Sequence, residues 1–95
     1  MNLQYKKVFK ESFRRMKDTI ESGGDYDAAL HELEAILEEY EDKFYNYMTG
    51  EDTLYNYVSS TIINLGKEGL DKEEAIDDID GTISCLESKS KWTIG

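Results

Sequence analysis

Apolar and aromatic residues recur through residues 25–48 as Tyr26, Leu30, Leu33, Leu37, Tyr40, Phe44 and Tyr47, at alternating steps of four and three. That period sets all seven along one side of an α-helix. Glu32, Glu34, Glu38, Glu39, Glu41 and Asp42 stand between them and belong to the other side. A helix with one apolar face must bury it, so the stripe predicts neighbours. Residues 3–22 supply one. There Tyr5, Val8, Phe9, Phe13, Met16 and Ile20 share a face, and Lys6, Lys7, Lys10, Arg14 and Lys17 fall mostly opposite. Leu54, Val58, Ile62 and Leu65 mark a third helix, and Ile76, Ile79, Ile83 and Leu86 a fourth.

The residues between the stripes are helix ends. Gly23-Gly24 closes the first helix, because glycine reaches the left-handed C′ conformation cheaply. Asp25 caps the second by accepting from its first free N–H groups, and with Asp27 it suits the positive end of the helix dipole. Thr49-Gly50 ends that helix, Asp52 or Thr53 caps the third, and Gly66 stops it. Asp71 with Glu74 forms a capping box, and Leu70 staples against Ala75. Gly81 costs a helix about 1 kcal/mol relative to alanine, which predicts a kink or break. The chain has no proline. The expected fold is an all-α, compact antiparallel bundle of four helices, at about 3–22, 25–48, 52–65 and 71–88. The second helix is expected at the centre, with a short irregular tail carrying Trp92. Residues 1–95 read as a single helical domain, the size at which one core forms with little stability in reserve.

Charge adds the most to this picture. The net charge of −10 is unevenly placed: +4 over residues 1–20, −8 over 21–50 and −6 over 51–95. Such acidity disfavours direct contact with nucleic acid and favours basic partners, although acidic residues also simply keep a small domain soluble. Cys85 is the one cysteine. It leaves no internal disulfide and suits a reducing compartment, most simply the cytoplasm. No apolar run approaches the ~18 residues of a membrane span, and Lys6, Lys7 and Lys10 interrupt any signal-peptide core.

Two clusters are candidate contact surfaces. Tyr45-Asn46-Tyr47 and Tyr55-Asn56-Tyr57 flank the second turn. Not all of the tyrosines there fit inward-facing positions, and either Tyr55 or Tyr57 must face out. Exposed tyrosine joins a large apolar area to a hydrogen-bonding tip, as contact hot spots do; the alternative is that the rings only cover the end of the core. Beside the apolar stripe of the second helix runs an acidic one: Asp27, His31, Glu34, Glu38 and Glu41. A carboxylate metal site of the four-helix kind needs Glu three residues before His on two helices. Here Ala28 stands three before His31, the sole histidine. The candidate partner-binding residues are therefore Glu34, Glu38, Glu41, Asp42, Tyr45, Tyr47, Tyr55 and Tyr57.

Residues 76–87 resemble an EF-hand calcium loop. Asp78 falls at its third position, Asp80 at the fifth, Gly81 at the sixth, Ile83 at the eighth, Ser84 at the ninth and Glu87 at the twelfth. Ile76 stands where the first ligand, normally Asp, belongs. The resemblance implies calcium ligation by Asp78, Asp80 and Glu87, whereas the helical stripe accounts for the four apolar positions without a loop. Residues 24–30 resemble the start of a tetratricopeptide-repeat helix, without the 34-residue period of that family. Catalysis has little to build on. The one His, the one Cys and the scattered Ser lie on different predicted helices, and no phosphate-binding glycine loop or nucleophile elbow occurs.

These features predict no enzyme and no cofactor. They predict a small acidic cytoplasmic protein-binding module. In its sharper form it is an inhibitor, its carboxylates standing where phosphates would on a basic surface of a nuclease or DNA-binding protein. The composition resembles small acidic immunity proteins and phage-encoded inhibitors of defence nucleases, as a class. The alternatives are a structural homodimer, in which the basic first helix meets the acidic second helix of another copy, and a calcium-responsive module.

Overall fold

The structure, a computed structural model, describes residues 3–44 and 53–87. It contains α1 (Leu3–Ser22), α2 (Tyr26–Phe44), α3 (Thr53–Leu65) and α4 (Lys72–Glu87), with no strand among the described residues. The all-α four-helix fold is as the periodicity predicts. The expected continuation of α2 to residue 48, the break at Thr49-Gly50 and the tail with Trp92 lie outside the described residues.

The helix ends follow from local chemistry. Gly23 adopts φ +75°, and the Gly24 N–H donates to the Thr19 carbonyl at 2.9 Å, which is the closing bond of a Schellman motif. Asp25 Oδ1 accepts from the Ala28 N–H at 3.1 Å, capping α2. Asp71 caps α4, but its side chain accepts from the Glu73 N–H, at 3.4 Å, one residue earlier than the capping-box spacing places it. The left-handed glycine between α3 and α4 is Gly69 (φ +75°).

Consecutive helices are antiparallel. Arg15 meets Glu32 and Tyr5 meets Glu39, so the start of α1 lies beside the end of α2. Tyr26 reaches Leu65 and Tyr55 reaches Glu41, which reverses α3 against α2. Arg14–Glu87 and Lys17–Asp80 reverse α4 against α1. The helices form a ring in which α1 packs closely on both α2 and α4, while α3 packs on α4 and more thinly on α2.

The largest share of the core comes from α1, which corrects the expectation that α2 is the central helix. Tyr5, Phe9, Phe13, Met16 and Ile20 are all buried, whereas among the described side chains of α2 only Leu33 and Tyr40 are buried. Tyr26, Leu30 and Leu37 of the heptad stripe are half-buried, joined by Ala29 and Ile36. Periodicity reports which side of a helix turns inward; how deep that side lies depends on how closely its neighbours pack on it, and α3 packs only thinly on α2. Lys6, expected on the outer face, is buried at 6% exposure. It lies one turn before Phe9, at the edge of the apolar stripe, where a lysine stem packs readily. In α4 the buried line is Ala75, Ile79, Thr82 and Leu86, with Ile76 and Ile83 at its margin. Gly81 lies inside continuous helix, so the break that glycine predicts does not occur.

Candidate functional site

Among the described residues of the aromatic end, Tyr40 and Tyr55 serve the fold. Tyr40 is buried, with the Tyr5 and Phe9 rings edge-on to it at 5.2 and 6.3 Å and the Tyr55 ring stacked on it at 5.8 Å. Such pairs add about 0.5–1.5 kcal/mol each beyond burial. Tyr55 is half-buried, and its hydroxyl donates to Glu41 Oε1 at 2.8 Å. Tyr57 is the outward member of the pair, 38% exposed. Tyr45 and Tyr47, the other proposed contact tyrosines, lie outside the described residues.

The acids of α2, with those of α4 that meet α1, include two contrasting groups. One group neutralises α1: Glu32 binds Arg15, Asp80 binds Lys17 at 2.9 Å and Glu87 binds Arg14 at 2.7 Å. Glu39 accepts from the Tyr5 hydroxyl at 3.1 Å and meets Lys43 at 3.5 Å. The Lys43 amine lies 5.7 Å from the centre of the Tyr5 ring. Its pKa is raised, first by hydrogen bonding to Tyr5 and then by Glu39. Exposed pairs of this kind contribute little to stability, but they occupy much of the basic face of α1.

The second group is Glu34, Glu38 and Asp42, all exposed on α2 and without a charged or hydrogen-bonding partner among the described residues. Glu34 and Glu38 line a groove of about 440 Å³ between α2 and α3, together with Glu41. Its apolar lining is Leu37, Ile62 and Ile63, and Lys67 sits at its edge. Ile63 is 64% exposed, the most exposed large hydrophobic side chain among the described residues. The groove exists because α2 and α3 pack thinly. Sequence reasoning selected Glu34, Glu38 and Glu41 but passed over Ile63. The available signal was the Ile62-Ile63 doublet, since the stripe Leu54, Val58, Ile62, Leu65 accommodates only the first of the two.

A second cavity, of about 390 Å³, opens where α1 ends and α4 begins. Ile20, Tyr26, Leu70 and Ala75 line it, with Lys67 and Lys72 among its polar neighbours. The Tyr26 hydroxyl donates to the Leu65 carbonyl there and ties α2 to the end of α3.

The calcium alternative meets a different geometry. Residues 76–87 are helix throughout, so Asp78, Asp80 and Glu87 do not converge as loop ligands. Asp80 and Glu87 are engaged by Lys17 and Arg14, and the Asp78 carbonyl accepts from Thr82. Among the described residues no group of three or more His, Cys, Asp or Glu is placed to hold a metal ion, and no helix is long and apolar enough to cross a membrane. His31 and Cys85 lie on separate helices, α2 and α4. With the geometry in view, comparison with protein families, curated proteins and solved structures finds no match for this chain.

Proposed function

We propose that this protein is a small acidic binding module of the cytoplasm that docks on a basic surface of another protein. The carrying observation is the asymmetry of the acids. Arg14, Arg15 and Lys17 are matched within the chain, whereas Glu34, Glu38 and Asp42 project from α2 with no partner among the described residues. At 1.5 Å per residue, Glu34, Glu38, Glu41 and Asp42 supply one carboxylate per about 4 Å of axis, near the roughly 3.4 Å per phosphate of one nucleic-acid strand. That spacing supports the inhibitor reading, in which this face covers the nucleic-acid-binding surface of a nuclease or DNA-binding protein. Electrostatic steering then makes association fast and salt-sensitive.

The test is capture from a lysate on the immobilised wild-type chain and on E34K/E38K/D42K. Glu41 is left intact because it accepts from Tyr55. The expected result is a partner with a basic surface, released by salt and lost from the charge-reversed chain, with circular dichroism unchanged. Equal capture by both chains overturns the acidic-face reading.

A further inference from the structure

We infer that the α2–α3 groove seats an amphipathic helix of a partner protein, its apolar stripe set between α2 and α3 and its flank carrying Lys or Arg opposite Glu34, Glu38 and Glu41. The inference rests on the binding-module reading above and specifies its contact. Acids alone would suffice to cover a phosphate-binding surface, but this rim encloses Leu37, Ile62 and Ile63, with Ile63 64% exposed. An exposed β-branched apolar side chain at the mouth of a groove is suited to an apolar anchor, as in helix-in-groove recognition. Three rim glutamates against Lys67 leave the groove with a net charge of about −2, so the complement is basic.

The form of the occupant follows from the rim. Glu34, Glu38 and Glu41 recur at steps of four and three and span about 10 Å of axis. A second helix laid alongside presents basic residues at the same period over two turns. An extended segment would gain most from pairing with a sheet edge, and no strand occurs among the described residues.

The probe is a fluorescent synthetic peptide of roughly 18 residues, about five helical turns, with a leucine stripe at helical spacing and lysines on its flanks. A second peptide of identical composition is scrambled to abolish the stripe. Anisotropy with the wild-type chain should show the striped peptide binding at least about tenfold more tightly, the margin of one well-buried apolar anchor. Ile63→Ser, at a position too exposed to unsettle the fold, should erase that preference and leave weak salt-sensitive binding of both peptides. E34Q/E38Q should weaken both. Equal binding of the two peptides to wild type overturns the groove and leaves the acidic-surface reading standing. A preference that survives Ile63→Ser places the site elsewhere and also overturns it. Binding of neither peptide removes both readings. Light scattering covers the remaining occupant: a dimer that Ile63→Ser dissolves gives the groove to a second copy and overturns the proposal.

Discussion

The hydroxyls of Thr61 and Thr82 lie 2.8 Å apart across the α3–α4 contact, at 5% and 0% exposure. Thr61 Oγ1 also lies 3.0 Å from the Tyr57 carbonyl, and Thr82 Oγ1 2.8 Å from the Asp78 carbonyl. Two hydroxyl protons serve three contacts, so one hydroxyl donates to the other and the second donates to its own helix. Either threonine alone retains a local acceptor. Thr61→Val and Thr82→Val are each expected to cost about 0.5–1.5 kcal/mol, and the double variant less than their sum, because the shared bond is lost only once. Urea titration of the four chains checks this. Strict additivity would mean that the hydroxyls do not interact.

Gly81 lies against Tyr57 of the neighbouring helix. A Cβ there would lie 3.2 Å from the Tyr57 hydroxyl and meets no other atom within 4 Å beyond its own helix backbone and chain neighbours. That hydroxyl is the far end of a flexible side chain of a residue 38% exposed, so a shift of a few tenths of an ångström relieves the contact. Gly81→Ala is therefore expected to stabilise the fold by about 0.5–1 kcal/mol through helix propensity. Thermal melts decide the sign. A loss of stability would show that the Tyr57 ring is held firmly over α4.

Ser12 is buried at 1% exposure, and its hydroxyl has no hydrogen-bond partner among the described residues. A buried unsatisfied hydroxyl carries its desolvation cost with no return, and serine is also the poorer helix former. Ser12→Ala should raise stability by about 1 kcal/mol, which for a domain of this size is roughly 4–8 °C in Tm. An unchanged or lower Tm would mean that the hydroxyl is satisfied in solution.

Burial, and after it the charge of Asp27, raises the Tyr26 phenol above its ordinary value of 10.0. A proton held more tightly in the folded chain stabilises it below the unfolded value, and that gain is lost as pH rises through the higher folded value. Ionisation also removes the proton donated to the Leu65 carbonyl. Tyr26→Phe is expected to be less stable by about 0.5–1.5 kcal/mol at neutral pH. The gap to wild type should narrow above pH 10. Lys17 and Lys43 are raised as well and titrate in the same sense, so the difference between the two chains is the informative quantity. A gap that is constant through this range would contradict the assignment to Tyr26.

Most of the architecture was legible because helix formation here is governed by local rules. The end of α1 at Ser22, the left-handed Gly23, the Asp25 and Asp71 caps and the inward positions Phe9, Phe13, Leu33, Val58 and Ile79 all follow from residues within a few positions of each other. The candidate site was legible in part. Glu34, Glu38 and Glu41 stood out by charge and period, and Glu32 and Glu39, acids of the same outer side, turn out to be engaged by Arg15, Tyr5 and Lys43.

What the sequence by itself determined was the four amphipathic helices, the caps at Gly23, Asp25 and Asp71 and the excess of acid, because periodicity and capping act over one or two turns. Only the tertiary structure decided that α1 supplies the largest share of the core, that Gly81 stays helical beneath Tyr57, that Asp80 and Glu87 pair with α1, and that Ile63 stands open beside Glu34 and Glu38, which have no partner among the described residues. Each of these depends on which helix face meets which neighbour and how closely. That is a relation between residues tens of positions apart, and no local period encodes it.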